Sequence, residues 1–99
     1  MAYEIRFSES AEEHFARLTA RERSLVAGAV RTQLLHEPMR ETRNRKPLRP
    51  NPLAPWELRI GSLRVFYEVV GEGEGIVNVL AIGFKAGNRL IIAGEEIRI

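Results

Sequence analysis

Positive side chains gather in the middle of this 99-residue chain. Eight Lys or Arg residues and only three Glu residues lie between Arg31 and Arg64, whereas the whole chain has a net charge of +2. Nearly all of the cations are arginine, whose planar guanidinium group matches the geometry of a phosphate. A basic segment on a nearly neutral protein indicates a surface for a polyanion or for an acidic partner.

The strongest local pattern is a predicted β-hairpin, in which WELRI (56–60) and LRVFYEVV (63–70) flank Gly61-Ser62. Glycine at the first turn position suits a two-residue type II′ turn, because it readily adopts a positive φ. Side chains alternate between the two faces of a strand. The apolar face, which we expect to contact the core, comprises Trp56, Leu58, Ile60, Leu63, Val65 and Tyr67.

The opposite face of the predicted hairpin places Arg59 directly across from Arg64. Like charges in this position are unfavourable unless something anionic lies between them. Two explanations fit the pattern. Either the pair forms an anion-binding site, or Glu57 and Glu68 neutralise it on a solvated face.

The hairpin is preceded by a long segment, from Pro38 to Pro55, that shows no clear period. Four prolines in its second half favour extended backbone. Loops of this length inside a compact domain are usually functional or disordered. The segment is either a stiff crossover with solvated charges or the edge of a phosphate-binding surface. Its five cations are Arg40, Arg43, Arg45, Lys46 and Arg49.

The N-terminal third predicts a strand over residues 3–7 and then two helices. Ser8 or Ser10 is a candidate N-cap for the first helix, and Ser10 with Glu13 fits a capping box. Thr19 with Glu22 fits a second capping box, so a new helix begins there. It continues to about residue 35, since Pro38 follows.

The C-terminal third predicts strands separated by short turns. Residues 71–75 form an acidic glycine-rich turn, and the apolar run 76–84 reads as a buried central strand. Residues 89–92 and 95–99 are predicted as short terminal strands. We therefore expect a single α+β domain over residues 1–99. Its elements are an N-terminal strand, a two-helix hairpin and an antiparallel β-meander (β-α-α-β-β-β), followed by a short C-terminal extension.

The sequence lacks the residues that several classes of functional site require. There is no cysteine and there are only two histidines, so we expect no metal site. No glycine-rich nucleotide loop is present, and we expect no cofactor. The N-terminus has no apolar signal-peptide core, and no run reaches the ~20 apolar residues that span a bilayer. We therefore expect a cytoplasmic protein without a membrane partner.

The order of elements and the segment PLRPNPLAPWELRIGSLRVFYEV (47–69) resemble toxins of the RelE/ParE superfamily from bacterial type II toxin–antitoxin systems. The resemblance covers residues 3–85 and implies the RelE-like fold and a cognate antitoxin as partner. It rests most strongly on a hairpin pattern supplied here by Trp56, Arg59, Leu63, Arg64 and Tyr67.

The superfamily includes both ribosome-dependent mRNA interferases and gyrase poisons. The interferases cleave mRNA in the ribosomal A site, by attack of a ribose 2′-hydroxyl on the adjacent phosphate. The resemblance implies catalytic positions at Arg64, Arg59, Lys85 and Lys46. Further candidates for phosphate binding are Arg43, Arg45, Arg49 and Arg89.

Two departures from the interferase pattern concern proton transfer. Many interferases end with a tyrosine or histidine, which the segment GFKAGNRLII (83–92) lacks. Lys46 also stands where one subgroup has a glutamate base. An mRNA endoribonuclease that blocks translation is the first hypothesis. The alternatives are a ParE-like inhibitor of DNA gyrase and a non-toxic module of the same fold that binds an antitoxin.

Overall fold

The computed structural model describes residues 2–71 and 75–99. It contains two helices beside one sheet, so the predicted α+β class is confirmed. The elements in chain order are β1 (Glu4–Phe7), α1 (Glu9–Ala16), α2 (Ala20–Gln33), β2 (Arg45–Pro47), β3 (Trp56–Ile60), β4 (Leu63–Val70), β5 (Ile76–Ala86), β6 (Arg89–Ile92) and β7 (Glu95–Ile97).

Both helices begin at side-chain caps. Ser8 caps α1, because its hydroxyl accepts a 3.0 Å hydrogen bond from the amide three residues later. The predicted capping box of Ser10 and Glu13 is wrong, since both residues lie inside α1. The predicted box of Thr19 and Glu22 is confirmed by reciprocal bonds of 2.9 and 3.1 Å. Neither helix in the described part of the chain is long and apolar enough to cross a membrane.

The sheet runs in the order β2-β3-β4-β5-β6-β7, and β1 pairs with the first half of β5. The pairs from β2 to β7 are antiparallel, which confirms the meander, whereas β1 lies parallel to β5. The short strand β2 lies within the segment 38–55, in which the sequence shows no clear period. Residues 72–74 of the predicted acidic turn lie outside the described residues.

The β3–β4 hairpin has the predicted register. Ile60 pairs with Leu63 and Arg59 pairs with Arg64. Gly61 has a φ of 59°, as the first position of a type II′ turn requires. The turn and the alternation of side chains are local signals, which explains why the sequence predicts this register so well.

Two apolar clusters pack against opposite faces of the sheet. The larger cluster lies under the helices and includes the predicted inner face of the hairpin. Burial of each large side chain in such a cluster contributes about 1.5–3 kcal/mol. Its fully enclosed strand members are Leu58, Val65, Tyr67, Val77 and Val79, and its helix members are Ala11, Val26, Val30 and Leu34.

The smaller cluster covers the face that one hypothesis left to solvent. Phe66 from β4 is fully buried there, in one cluster with Leu90 and Ile92 from β6. The segment 38–55, which we call the proline-rich segment, contributes Ala54 to this cluster. Asn51 fixes its shape, because the side-chain oxygen of Asn51 accepts two backbone hydrogen bonds of 2.7 and 3.0 Å. The C-terminal strands and this segment therefore cover parts of the sheet face opposite the helices, which we call the second face.

Candidate functional site

A cavity of about 470 Å³ opens on the second face of the sheet, and we call it the basic cavity. Strand β3 and the end of β5 form one side of it, and β6 with the C-terminal residues forms the other. Apolar side chains of the smaller cluster, including Leu48 and Leu90, line it in part. Its charged lining residues are Arg59, Lys85, Arg89, Arg98, Glu57 and Glu96.

Three of the cations predicted from the sequence, Arg59, Lys85 and Arg89, therefore lie around one cavity. Lys85 is held at the end of β5, where its backbone amide donates a 2.8 Å hydrogen bond to the carbonyl of Ser62 in the hairpin turn. Arg89 begins β6 and forms a 2.9 Å ion pair with Glu96 of β7. The four cations and two carboxylates leave a net positive lining, which favours an anionic ligand.

Glu57 connects the two arginines that the sequence places opposite each other. Its carboxylate accepts a 2.8 Å hydrogen bond from Nε of Arg59 and lies 3.8 Å from Nε of Arg64. Neutralisation by Glu57 is thus confirmed, but Glu57 itself is only 4% exposed, so the face is covered at this position. Glu68 does not take part and accepts a 3.1 Å hydrogen bond from Asn78 instead.

Arg64 folds back onto its own hairpin and does not line the basic cavity. One terminal nitrogen donates to the carbonyls of Gly61 and Leu63, at 2.7 and 2.9 Å. Its Nε is buried and forms no hydrogen bond with the described residues. Burial lowers the pKa of Arg64, the charge of Glu57 raises it and the charge of Arg59 lowers it. Within this structure, Arg64 stabilises the turn.

The predicted cations of the proline-rich segment do not line the cavity. Lys46 lies 3.9 Å from Glu41 in a loose ion pair. Arg45 donates hydrogen bonds to the carbonyls of Gln33 and Arg40, and so fastens the segment to the end of α2. Arg43 and Arg49 are exposed. Among the described lining residues, none of the predicted cations Arg43, Arg45, Lys46 and Arg49 appears.

Two features of the cavity were not predicted from the sequence, namely the presence of Arg98 and the burial of Glu57. Arg98 lines it, although nothing in the pattern of the C-terminal residues distinguishes this arginine from a solvated one. The central position of Glu57 is the second feature. Its alternation with Leu58 already placed it on the polar face, but its burial depends on segments that are distant in sequence.

The lining residues determine which chemistry the cavity can support. Guanidinium groups can bind a phosphodiester and stabilise additional negative charge on it. The Lys85 ammonium group can donate a proton. No histidine or tyrosine appears among the described residues that line the cavity. Among all residues that the structure describes, no group of three or more His, Cys, Asp or Glu side chains could hold a metal ion.

Comparisons with known proteins agree with this architecture. The family model for the ParE toxin of the type II toxin–antitoxin system parDE matches residues 5–87, which leaves β6 and β7 beyond the matched range. Among solved structures, the chain is similar to a chain of the toxin–antitoxin complex RelBE2 from Mycobacterium tuberculosis. The two are 26% identical with a TM-score of 0.71, and the match covers 86% of this chain and 100% of the other.

A search of curated proteins finds no match. The predicted membership of the RelE/ParE superfamily is nevertheless confirmed, because the family model spans most of the chain and the structural match has the same fold. The chain therefore belongs to the ParE toxin family of type II toxin–antitoxin systems.

Proposed function

We propose that this toxin is an mRNA endoribonuclease that acts in the ribosomal A site and thereby blocks translation. The observation that carries the proposal is the set of four cations around the basic cavity. Such a lining favours a phosphodiester over a neutral ligand. Ribosome and mRNA are cytoplasmic, which is where we place the protein.

The proposed reaction needs little more than electrostatic stabilisation and proton transfer. The 2′-oxygen of a ribose attacks the adjacent phosphorus after its proton passes to solvent, and the bond from phosphorus to the 5′-oxygen breaks. A 2′,3′-cyclic phosphate and a 5′-hydroxyl result. Arg59 stabilises the charge that develops on the phosphate oxygens, and Lys85 donates a proton to the leaving 5′-oxygen. Arg89 binds the phosphate backbone beside them.

A cognate antitoxin is the second part of the proposal. The similar chain from Mycobacterium tuberculosis belongs to a toxin–antitoxin complex. An antitoxin that places acidic side chains over the basic cavity would neutralise Arg59 and Lys85, and would keep RNA out at the same time.

Expression of the chain without an antitoxin tests the proposal. We expect growth arrest, arrested protein synthesis and cuts in ribosome-bound mRNA. Loss of one well-placed donor lowers the rate of such reactions by ~10²–10³, so Arg59→Ala should abolish arrest and leave only this residual rate of cleavage. Arg21→Ala is the matched control, because Arg21 is exposed on α2, away from the basic cavity. Cleavage by Arg59→Ala at the wild-type rate would contradict the proposal.

Inhibition of DNA gyrase is the second candidate, and two observations favour it. The matching family model is that of ParE, and the described lining of the cavity offers no histidine or tyrosine for proton transfer. A gyrase inhibitor needs neither. If plasmid supercoiling fails while mRNA stays intact, gyrase is the target. If neither process changes, the chain is an antitoxin-binding module without toxicity.

A further inference from the structure

Glu57 is the most deeply buried charged side chain of the described residues, and its surroundings are unusually basic. It lies in β3 between two paired strands, directly opposite Lys46 of β2 and two residues before Arg59. Arg64 approaches it from β4, and both Lys85 and the C-terminal strands face the same cavity. Burial of a carboxylate is costly unless its charge is compensated, so this position calls for an explanation.

We propose that Glu57 is a positioning residue, which holds the guanidinium of Arg59 in the orientation that stabilises the reacting phosphate. This inference rests on the proposed endoribonuclease function and gives Glu57 a role beyond the charge neutralisation predicted from the sequence. Glu57 does not have to touch the RNA. It acts through Arg59, whose Nε it binds at 2.8 Å.

The geometry of Arg59 supports this role. Its side chain is 46% exposed and lines the basic cavity, while its Nε is bound by Glu57, whose side chain alone is only 6% exposed. The terminal nitrogens of Arg59 form no hydrogen bond with the described residues, and so remain available to a ligand. A long side chain that is already oriented loses less conformational entropy when it binds the phosphate.

Arg64 explains why Arg59 needs such a partner. The two residues are directly paired across the hairpin, and without an anion between them their charges would drive the side chains apart. Because Arg64 is fixed to the turn by its bonds to Gly61 and Leu63, Arg59 is the side chain that would move. The carboxylate of Glu57 prevents this displacement.

If Glu57 positions Arg59, the substitution Glu57→Gln should have opposite effects on RNA binding and on RNA cleavage. The negative charge of Glu57 opposes a phosphate in the cavity, so Glu57→Gln should strengthen binding of a short single-stranded RNA by about fivefold. The same change loosens Arg59, since a neutral amide oxygen replaces the charged acceptor of its Nε and the amide donors face Arg64. We expect the single-turnover rate of cleavage on programmed ribosomes to fall by about 10²-fold.

The matched control is Glu68→Gln, which changes a glutamate on the same sheet face that binds Asn78 and lies outside the basic cavity. We expect wild-type binding and cleavage from it. A double-mutant cycle completes the test: in the Arg59→Ala background, Glu57→Gln should not lower the rate further. Full additivity of the two changes would show that Glu57 does not act through Arg59.

A purely structural role would make Glu57→Gln lose RNA binding together with cleavage, and that outcome would overturn the inference, as would an unchanged rate. If Glu57→Gln does not fold, an NMR measurement of proton exchange on the wild-type protein provides the test. The Nε proton of Arg59 should then exchange more slowly with water than that of Arg21, and equal exchange would overturn the inference. A wild-type chain that cleaves no mRNA overturns the proposed function as well.

Discussion

The hydroxyl of Tyr67 donates a 2.6 Å hydrogen bond to the carbonyl of Pro38, 29 residues earlier in the chain. Both residues are buried, and Tyr67 lies in the central strand β4. Burial raises the pKa of the Tyr67 phenol, so the hydroxyl stays protonated and remains a donor. The bond fixes the point at which the chain leaves α2 and starts the segment that carries the basic residues.

Tyr67→Phe should lower the free energy of unfolding by about 1–3 kcal/mol, because it leaves the buried carbonyl of Pro38 without its donor. Urea denaturation measures this loss. Tyr3→Phe is the matched control, since Tyr3 is also buried but its hydroxyl forms no hydrogen bond with the described residues. Equal losses in the two variants would show that the Tyr67 bond contributes nothing specific.

Gly83→Ala should displace β6. A Cβ atom at Gly83 would lie 2.4 Å from the backbone oxygen of Ile91 and 2.6 Å from a side-chain carbon of Ile92. Overpacking of this kind costs about 1–3 kcal/mol, and here it also moves the strand that carries Arg89. We expect a lower melting temperature and weaker growth arrest.

Gly28→Ala provides the control for Gly83→Ala. Gly28 lies within α2, and a Cβ atom there would meet nothing within 4 Å. Alanine is the better helix former, so this variant should gain up to about 1 kcal/mol of stability. A Gly83→Ala protein as stable as the wild type would mean that β6 does not approach β5 as closely as the structure shows.

His14 should make stability depend on pH. Its Nδ1 accepts a 3.1 Å hydrogen bond from the amide of Ile82, which only the neutral ring can do. Burial lowers the pKa of His14, while Glu13 raises it and Arg17 lowers it. The unfolded chain therefore binds a proton more readily than the folded protein. The free energy of unfolding should fall as pH drops below about 6.5, and this loss should end below the lowered pKa of the folded state.

Urea denaturation at several pH values between about 7 and 5 measures the contribution of His14. His14→Gln is the informative variant, because its amide oxygen can still accept the hydrogen bond from Ile82 but does not titrate. We expect its stability to change less with pH than that of the wild type. Identical pH profiles would assign the dependence to other groups.

Arg64→Ala should affect stability as well as toxicity. The side chain is 14% exposed and donates two hydrogen bonds to turn carbonyls, and bonds from charged donors contribute about 1.5–3 kcal/mol each. We therefore expect a clear fall in melting temperature, together with weaker growth arrest because the same turn holds Lys85 through the carbonyl of Ser62. Arg59→Ala should abolish arrest and also lower the melting temperature, because it leaves the buried carboxylate of Glu57 with only the 3.8 Å contact to Arg64. An Arg64→Ala variant of wild-type stability and toxicity would contradict the role of Arg64 in the turn.

Local signals explain what the sequence could predict. Gly61 determines the turn, and the alternation of side chains beside it determines which residues pair and which faces they share. The capping box of Thr19 and Glu22 likewise spans only four residues. Where two serines offered the same local signal, the sequence left the choice open. Ser8 became the cap of α1, with its hydroxyl also donating a 3.2 Å hydrogen bond to the carbonyl of Leu80 in β5.

The site depended on contacts between distant segments. The sequence could not decide which of the eight cations in the middle of the chain face a common site. The fold turned Arg64 and Arg45 to backbone carbonyls and left Arg59 at the cavity. The cavity itself exists because β6 and β7 continue the sheet and pack apolar side chains over its second face.

The sequence by itself thus determined the hairpin, its two faces and the family, because these follow from residue order over a few positions. Only the tertiary structure decided that Glu57 is buried, that Arg98 joins the cavity and that Arg59 rather than Arg64 faces it. The physical reason is that burial and electrostatic environment are set by which segments cover a face, and those segments are far apart in the chain.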